Sequence, residues 1–259
     1  MPRPDELLFP RQPRQIEDRR KEATQGKILD EFFDQPTLLA ISRLVNRGLF
    51  DAVEHPISMG KEGGVFRATK GSASVAVKIY RIGNATVRRF PPYALDDLRR
   101  EVSIRNLRAL IPAWTRREHT MLVRMRSAGV RVPEPYGHFR NVLVMEYIGS
   151  AEGAAPRLKD ALIDDLPGLY DRMVDQIRTM RDVAHLVHGD LSPYNLLYQE
   201  GELVIIDVAQ AVTAAHPSAR ALLVRDVGHL ADFLRRAGLK VKAADFLARI
   251  DAGAPAEGT

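Results

Sequence analysis

His188-Gly189-Asp190-Leu191-Ser192-Pro193-Tyr194-Asn195, followed by Ile205-Ile206-Asp207, is the stretch from which the fold and chemistry of this 259-residue chain are read. A carboxylate and an amide five residues apart share one loop, and a second carboxylate, twelve residues past the amide, closes an apolar run. Phosphoryl-transfer sites place a base and two metal ligands in this way, because the reaction asks of the protein mainly positioning and charge neutralisation. Asp190 is the candidate base, able to accept a hydroxyl proton. Asn195 and Asp207 are hard oxygen ligands suited to Mg²⁺, which takes few protein ligands and keeps phosphate oxygens for the rest. The bland alternative, an Asp capping a loop and an Asn in a turn, leaves the order and spacing of these elements unexplained. His188 reads as a packed residue holding the loop rather than as a proton shuttle.

Upstream, Lys78 ends the run Val75-Ala76-Val77-Lys78. Alternation puts Val75, Val77 and Ile79 on one strand face and Ala76, Lys78 and Tyr80 on the other. A small Ala76 makes room for an adenine ring while the Lys78 ammonium reaches the α- and β-phosphates. Alone, this pattern is a half-buried strand ending in a surface lysine. The preceding Ser58-Met59-Gly60-Lys61-Glu62-Gly63-Gly64-Val65-Phe66 is a Gly-rich turn running into a strand. It is neither a Walker A loop nor a G-x-G-x-x-G loop. It offers the Ser58 hydroxyl, Lys61 and several backbone N–H groups where the chain can bend closely over phosphate; the alternative is a plain hairpin turn. Lys78 needs a carboxylate, and Glu101 and Glu118 are the candidates. Glu118 lies on the clearer helix, although a surface i,i+4 partnership there is the competing reading.

The chain is long enough for one large domain or two small lobes around a shared cleft. Hydrophobic residues make up 45% of it, ordinary for a globular protein. Without an eighteen-residue apolar run no membrane span is expected. The opening Met-Pro-Arg-Pro-Asp-Glu lacks the apolar stretch of a secretory signal, so a cytoplasmic location is expected. The absence of cysteine excludes disulfides and Cys-based zinc sites. The net charge of +5 is unevenly spread: from Arg81 to Arg131 there are twelve Arg, no Lys and four acids, a balance of +8, which leaves −3 for the rest. Arg binds phosphate bidentately through its planar fork, so this block suits an RNA backbone. Its competing reading is a solvated helix face with arginine stems covering apolar surface.

Along the chain, residues 1–30 read as a loose arm. Pro36 opens a helix closed by Gly48, with Leu38, Ile41, Leu44 and Val45 on one face. Two strands joined at Lys70-Gly71 form a hairpin ending at Tyr80. Residues 81–113 are interrupted by Pro91, Pro92 and Pro112, with an amphipathic piece between Leu95 and Leu110. A helix is expected from about Ala113 to Ala128, an extended run from Val130 to Pro135, and a strand from Val142 to Tyr147. Gly149–Pro156 is the best candidate for a boundary. Leu169, Met173, Ile177, Met180 and Ala184 mark a helix, and further helices run from Ser218 through Arg236 and from Lys242 to Ile250. The tail, 252–259, reads as disordered.

Taken together, these residues resemble a RIO-type atypical protein kinase of the type-1 subfamily, in its prokaryotic, archaeal form. The resemblance rests on Gly60-Lys61-Glu62, Val77-Lys78-Ile79-Tyr80-Arg81, Ala113-Trp114 with Glu118, and Gly129-Val130-Arg131-Val132-Pro133-Glu134-Pro135. It continues through Val144-Met145-Glu146-Tyr147-Ile148-Gly149, His188 to Asn195, Ile206-Asp207-Val208-Ala209-Gln210, His216-Pro217 and Arg225-Asp226-Val227. It spans roughly residues 30 to 240. The Trp114-to-Glu118 match selects Glu118 over Glu101.

The resemblance implies an α+β, two-lobed protein-kinase-like fold, with a small β-rich N-lobe and a mainly helical C-lobe. The fold is reduced, lacking an activation loop and peptide-docking subdomain, and carries an N-terminal helical extension. The implied layout is extension 1–50, N-lobe 51–148 with an Arg-rich flexible insert at 83–112, C-lobe 149–251 and tail 252–259. Asp190 would be the catalytic aspartate, Asn195 and Asp207 the metal ligands, and Lys78 with Glu118 the phosphate-positioning pair. Ser58, Gly60 and Lys61 would meet phosphate, and Ala76 the adenine. Val142–Ile148 would be the hinge, with adenine bonded to main-chain groups of Glu146 and Ile148, and Met145 behind the pocket. Asp207 could itself take the γ-phosphate as a phosphoaspartate linked to ATP hydrolysis. Serine autophosphorylation would fall in the insert, at Ser103 first and Thr86 second. The implied activity is an ATP- and Mg²⁺-dependent serine/threonine kinase and ATPase, with Mn²⁺ as a second metal. It would act as a switch on small ribosomal subunit precursors and their rRNA, with no membrane partner.

The chain departs from the family where Ser-Met-Gly-Lys-Glu-Gly-Gly stands for the usual Ser-Thr-Gly-Lys-Glu-Ala-Asn/Asp, Pro193 for a common Glu and Ala209 for a common Ser. No Asp-Phe-Gly or Ala-Pro-Glu occurs, and a helix follows soon after Asp207, which disfavours a kinase of extended peptides. The loop also resembles aminoglycoside- and choline-type phosphotransferases. Against these stand Val-Lys-Ile-Tyr-Arg, the Arg-rich insert and Ile-Asp-Val-Ala-Gln. A third reading, a non-catalytic nucleotide-binding scaffold, sits poorly with intact Lys78, Asp190, Asn195 and Asp207.

Overall fold

The computed structural model describes residues 32–101 and 107–252. Residue contacts group the chain into two units: one takes in residues up to Phe90, Leu95–His119 and Pro135–Tyr147, the other Pro91–Ala94, Thr120–Glu134 and Ile148 onward. The expected loose arm, the tail beyond Ala252 and Ser103 lie outside the described residues.

The first unit is built on a five-stranded antiparallel sheet. Its strands are β1 (Ala52–Met59), β2 (Gly63–Lys70), β3 (Ala73–Tyr80), β4 (Pro135–Phe139) and β5 (Val142–Glu146), in the order β1-β2-β3-β5-β4. The β2–β3 hairpin pairs without a break from Gly63↔Tyr80 to Lys70↔Ala73. β1 was not expected from sequence. It is an edge strand with Pro56 inside it and register shifts on both sides of that proline, the position where a sheet tolerates a missing N–H.

Because side chains alternate, one sheet face collects Val53, Phe66, Ala68, Val75, Val77, Ile79, Val142 and Val144. Helix α1 (Gln35–Asn46) belongs to the same core through Ala40, Ile41 and Leu44. Asp34 caps α1 by accepting the Thr37 N–H at 3.0 Å, and Gly48, at φ 70°, follows its end. The helix of the expected N-terminal extension is thus part of this unit's core.

The opposite face of the sheet carries the polar work. Gly63 is required there: a Cβ at this position would meet the Ile79 carbonyl oxygen at 2.5 Å. The departure from the family's usual Ala therefore has a packing reason. The insert is helical rather than loop-like wherever it is described, in α2 (Asn84–Val87) and α3 (Pro92–Glu101). Val87, Phe90, Ala94 and Leu98 are buried, and Pro92 opens α3 with its missing N–H at no cost. Helix α4 (Leu107–Ser127) starts before Pro112, with Leu110 and Ile111 buried, whereas the proline had suggested a start at Ala113.

In the second unit, α5 (Leu166–Asp182), α6 (Ala219–Arg236) and α7 (Ala243–Asp251) bury Met173, Ile177, Leu223, Val227, Leu230, Phe246 and Ile250. Tyr170 meets Phe246 edge-on at 4.8 Å. Two short ladders complete it: β6 (Leu186–Val187) with β9 (Val212–Thr213), and β7 (Leu196–Gln199) with β8 (Glu202–Ile205). Among the described residues no helix is long and apolar enough to cross a membrane. Helix α6 begins twelve residues after Asp207, so no long activation segment stands there. The architecture is the α+β kinase-like fold, with a β-sheet N-lobe and a helical C-lobe.

Candidate active site

In the first unit, β3 and α4 bring Lys78 and Glu118 together. Lys78 Nζ lies 2.6 Å from Glu118 Oε1, and the Tyr80 hydroxyl donates to Glu118 Oε2. Lys78 and Glu118 are 8% and 1% exposed, so this is a desolvated ion pair and the surface-partner reading of Glu118 fails. The Lys78 ammonium also stands 5.0 Å from the Tyr80 ring centroid. Trp114, one turn before Glu118, stacks on Phe90 of the insert at 3.9 Å.

Register fixes what flanks the lysine. Ser58↔Val65, Val65↔Lys78 and Lys78↔Leu143 form one row across the sheet. Ser58 is therefore roughly 10 Å from β3, two strand spacings away, on the Lys78 face. Ala76 pairs with Met145, both nearly buried, giving an apolar surface two residues from the ammonium that suits a flat aromatic ring. Gly60 closes its turn by donating its N–H to Gly63 O at 2.8 Å, with Lys61 exposed at the tip. Glu146 ends β5, and the Ile148 carbonyl, in the second unit, accepts the Ala155 N–H at 2.9 Å.

In the second unit, both functional loops are pinned at each end. Val187↔Val212 and Leu196↔Ile205 clamp residues 188–195 against 206–211. The Ile206 N–H donates to Asn195 O at 3.1 Å. His188 Nδ1 accepts the Asp190 N–H at 3.2 Å, so its Nε2–H donates to Ile206 O at 3.0 Å. That neutral tautomer ties the two loops together, the structural role read for it from sequence. Asn195 Nδ2 donates to Asp190 O at 2.8 Å and Asp190 Oδ2 at 3.2 Å. With its nitrogen committed, Asn195 offers its oxygen to a cation. Asp207 has φ 66° and ψ 45°, the left-handed conformation, which Asp adopts more readily than most residues. One amide oxygen and one carboxylate form a hard, sparse donor set that fits Mg²⁺ completed by phosphate oxygens.

Sequence reasoning missed the support around Asp190. Gln210 Nε2 donates to Asp190 Oδ2 at 3.3 Å, and the Tyr93 hydroxyl lies 3.0 Å from Gly189 O and 3.3 Å from Gln210 Oε1. Arg225 also donates to Gly189 O. Gly189 has φ 77° and a Cβ there would crowd Tyr93 Oη at 3.1 Å, so only glycine suits. Gln210 and the Arg225-Asp226 pair stood in the matched motifs without a role; nothing in the local pattern around Tyr93 marked it.

Asp226, 1% exposed, accepts the Gly189 N–H at 2.8 Å. Burial pushes its carboxyl up to about 7, against the pull of hydrogen bonds from Gly189 and Leu191 and of the Arg225 charge. A raised folded pKa means the folded state holds its proton longer. The stability that this proton contributes is complete below 3.8, the unfolded value, and is lost as pH rises to about 7. Asp226→Asn keeps an acceptor for Gly189 without titrating. Chemical denaturation across pH 4–8 should show wild-type stability falling relative to the variant by roughly 3–5 kcal/mol; parallel curves would contradict the assignment.

The Arg-rich block divides. Arg117 is buried, Arg81 lies 4.4 Å from the Phe32 ring centroid, and Arg124 Nε donates to Ala184 O at 2.6 Å. Arg126 pairs with Glu134 at 3.1 Å, and Arg131 donates to Val132 O at 3.2 Å. Arg88, Arg89 and Arg116 are exposed. Much of the block is thus structural. Thr86, the second autophosphorylation candidate, is only 2% exposed inside α2, so its hydroxyl is not presented.

The family described as "RIO domain" matches residues 64–246. The chain is 44% identical over 221 residues to the RIO-type serine/threonine-protein kinase Rio1 of Haloferax volcanii, covering 85% of this chain and 76% of that protein. To the Rio1 of Thermoplasma acidophilum it is 39% identical over 176 residues, covering 68% of this chain and 92% of the relative. Among solved structures, the Rio2 kinase–ADP/Mg²⁺–phosphoaspartate complex of Chaetomium thermophilum shares the fold. The TM-score is 0.63 at 21% identity, covering 83% of this chain and 68% of the other. A sheet-borne lysine held by a helical glutamate, a loop that presents an aspartate and an asparagine, and these relatives together place the chain in the RIO kinase family, in its Rio1 branch.

Proposed function

We propose that the protein is an Mg-ATP-dependent serine/threonine-type kinase and ATPase that acts as an ATP-driven switch in small ribosomal subunit maturation. The observation that carries the chemistry is the loop in which both amides, of Asn195 and Gln210, donate to one oxygen of Asp190. The other oxygen is left to accept a proton. Lys78, held by Glu118, meets the α- and β-phosphates, with Ala76 and Met145 against adenine, main-chain groups of Glu146 and Ile148 bonded to its edge, and Ser58, Gly60 and Lys61 along the phosphates. Asn195 and Asp207 would hold Mg²⁺, with Mn²⁺ as second choice, and the cation would supply neutralisation of phosphate charge.

In kinase turnover, the acceptor hydroxyl gives its proton to Asp190 as its oxygen bonds to the γ-phosphorus. The bond from that phosphorus to the β–γ bridging oxygen breaks, and ADP leaves. In ATPase turnover, an Asp207 carboxylate oxygen takes the γ-phosphoryl group and ADP leaves. Water then attacks the phosphorus of the acyl phosphate and gives a proton to Asp190, the bond from phosphorus to the Asp207 oxygen breaks, and inorganic phosphate leaves with the carboxylate restored. The complex of the Rio2 relative, with its phosphoaspartate, supports this second route. The short path from Asp207 to α6 suits a switch better than a kinase of extended peptides.

The rRNA contact is assigned to the exposed Arg88 and Arg89, and autophosphorylation to Ser103. A cytoplasmic location completes this reading. The Arg-rich block and the Val-Lys-Ile-Tyr-Arg strand disfavour a small-molecule phosphotransferase. The test binds the protein to small-subunit precursors with and without ATP, beside Asp190→Ala. Turnover should release wild type and leave the variant bound, and Arg88→Ala/Arg89→Ala should weaken binding and reduce its salt slope by about two. Equal turnover in wild type and Asp190→Ala would favour a non-catalytic scaffold.

A further inference from the structure

Asp190 is the only side chain of its loop asked to change protonation during turnover, so what holds its carboxylate matters more than what surrounds it. Asn195 holds it from within the loop. Gln210 holds it from the 3-10 turn Val208–Gln210 that follows Asp207. A glutamine amide can face either way, and Gln210 is useful only with its nitrogen toward Asp190, because a carboxylate accepts and does not donate. The Tyr93 hydroxyl has one proton and two acceptors in reach, Gly189 O at 3.0 Å and Gln210 Oε1 at 3.3 Å; Gly189 O already accepts from Arg225, so the proton shared toward Gln210 Oε1 favours that orientation. Tyr93 is half-buried in α3, with its ring edge-on to His216 at 6.3 Å. Burial raises its pKa, so the hydroxyl stays a donor. Gly189 O, which it also reaches, is the carbonyl one residue before Asp190.

We propose that Gln210 is a positioning residue for the Asp190 carboxylate and that Tyr93, from the Arg-rich insert, sets the Gln210 amide. The insert then contributes to the chemistry directly, through a donor–acceptor chain Tyr93–Gln210–Asp190, and not only as a docking surface. This inference rests on Asp190 acting as the base. Neither residue touches the groups assigned to adenine or metal, so their loss acts on the rate and not on nucleotide affinity.

The experiment compares steady-state kcat and KM for ATP of wild type, Gln210→Ala, Tyr93→Phe, Gln210→Glu and Asp190→Ala at one fixed pH. Gln210→Ala and Tyr93→Phe should each lower kcat about tenfold with KM for ATP unchanged. Tyr93→Phe retains the ring against His216, so a loss there reports the hydroxyl. Gln210→Glu keeps the side chain's shape but has no N–H to give Asp190 Oδ2, so it should lower kcat at least as far as Gln210→Ala with KM for ATP unchanged. Unchanged kcat in Gln210→Ala, Gln210→Glu and Tyr93→Phe would overturn the proposal. A KM for ATP that rises in step with the loss would also overturn it, since the residues would then hold the site as a whole. If Asp190→Ala turns over as fast as wild type, the function proposed above fails instead.

Discussion

Asp207→Asn is expected to reduce ATP turnover about a thousandfold while sparing the fold. The loss is the several kcal/mol of charge stabilisation that a correctly held metal supplies in phosphoryl transfer. The amide keeps the shape of the carboxylate but loses its charge and its capacity to take the phosphoryl group. The fold should survive because Asp207 occupies a left-handed conformation, φ 66° and ψ 45°. Asn adopts that conformation at least as readily as Asp, whereas most residues resist it by about 1–2 kcal/mol. Thermal unfolding should therefore match wild type, and radiolabel from γ-phosphate should no longer appear on the protein at this position. Hydrolysis retained at more than a tenth of the wild-type rate would remove Asp207 from the metal and phosphoryl roles together.

Lys78→Ala should cost both stability and nucleotide affinity. Glu118 is 1% exposed, and the substitution removes the Lys78 ammonium from its buried charge while the Tyr80 hydroxyl stays. Removing one partner of a buried pair costs about 3–5 kcal/mol, equivalent to roughly 6–20 °C in Tm for a domain of this size. Lys78→Met/Glu118→Leu separates the two losses. Exchanging both charges for apolar groups of similar volume is close to neutral for stability, yet it removes the ammonium assigned to phosphate. The double variant should recover most of the lost Tm and still fail to bind ATP in a titration. A double variant that binds ATP as wild type does would show that the ion pair serves the fold alone.

The residues proposed to carry the chemistry could be picked out because each sits in a short local pattern. Ala76 and Lys78 follow from strand alternation, and Asp190, Asn195 and Asp207 from loop spacing. The hairpin from β2 to β3, α1 with its cap, and the helices of the second unit follow from period and punctuation. What was misread lay where local signals conflict with long-range packing. Pro56 hid β1, although an edge strand accommodates it. Pro112 suggested a helix start, although Leu110 and Ile111, both buried, hold the turn before it in α4. Three prolines left residues 81–113 unassigned apart from an amphipathic piece, and the resemblance implied a flexible insert, while buried Phe90, Ala94 and Leu98 pack its described part as helices.

The amino-acid sequence alone, through its resemblance to the RIO kinases, pointed to the fold class, and it singled out the lysine and the candidates for base and metal ligands, since those depend on residue type at fixed spacing within one strand or loop. Only the tertiary structure decided how they are held: Tyr80 sharing Glu118 with Lys78, and Tyr93 and Gln210 reaching Asp190 from distant segments. It also decided that Arg81, Arg117 and Arg124 are committed within the fold while Arg88 and Arg89 face water. The physical reason is that a hydrogen bond between residues 38, 40 or 117 positions apart leaves no periodic trace in either segment, and becomes visible only when the chain has folded.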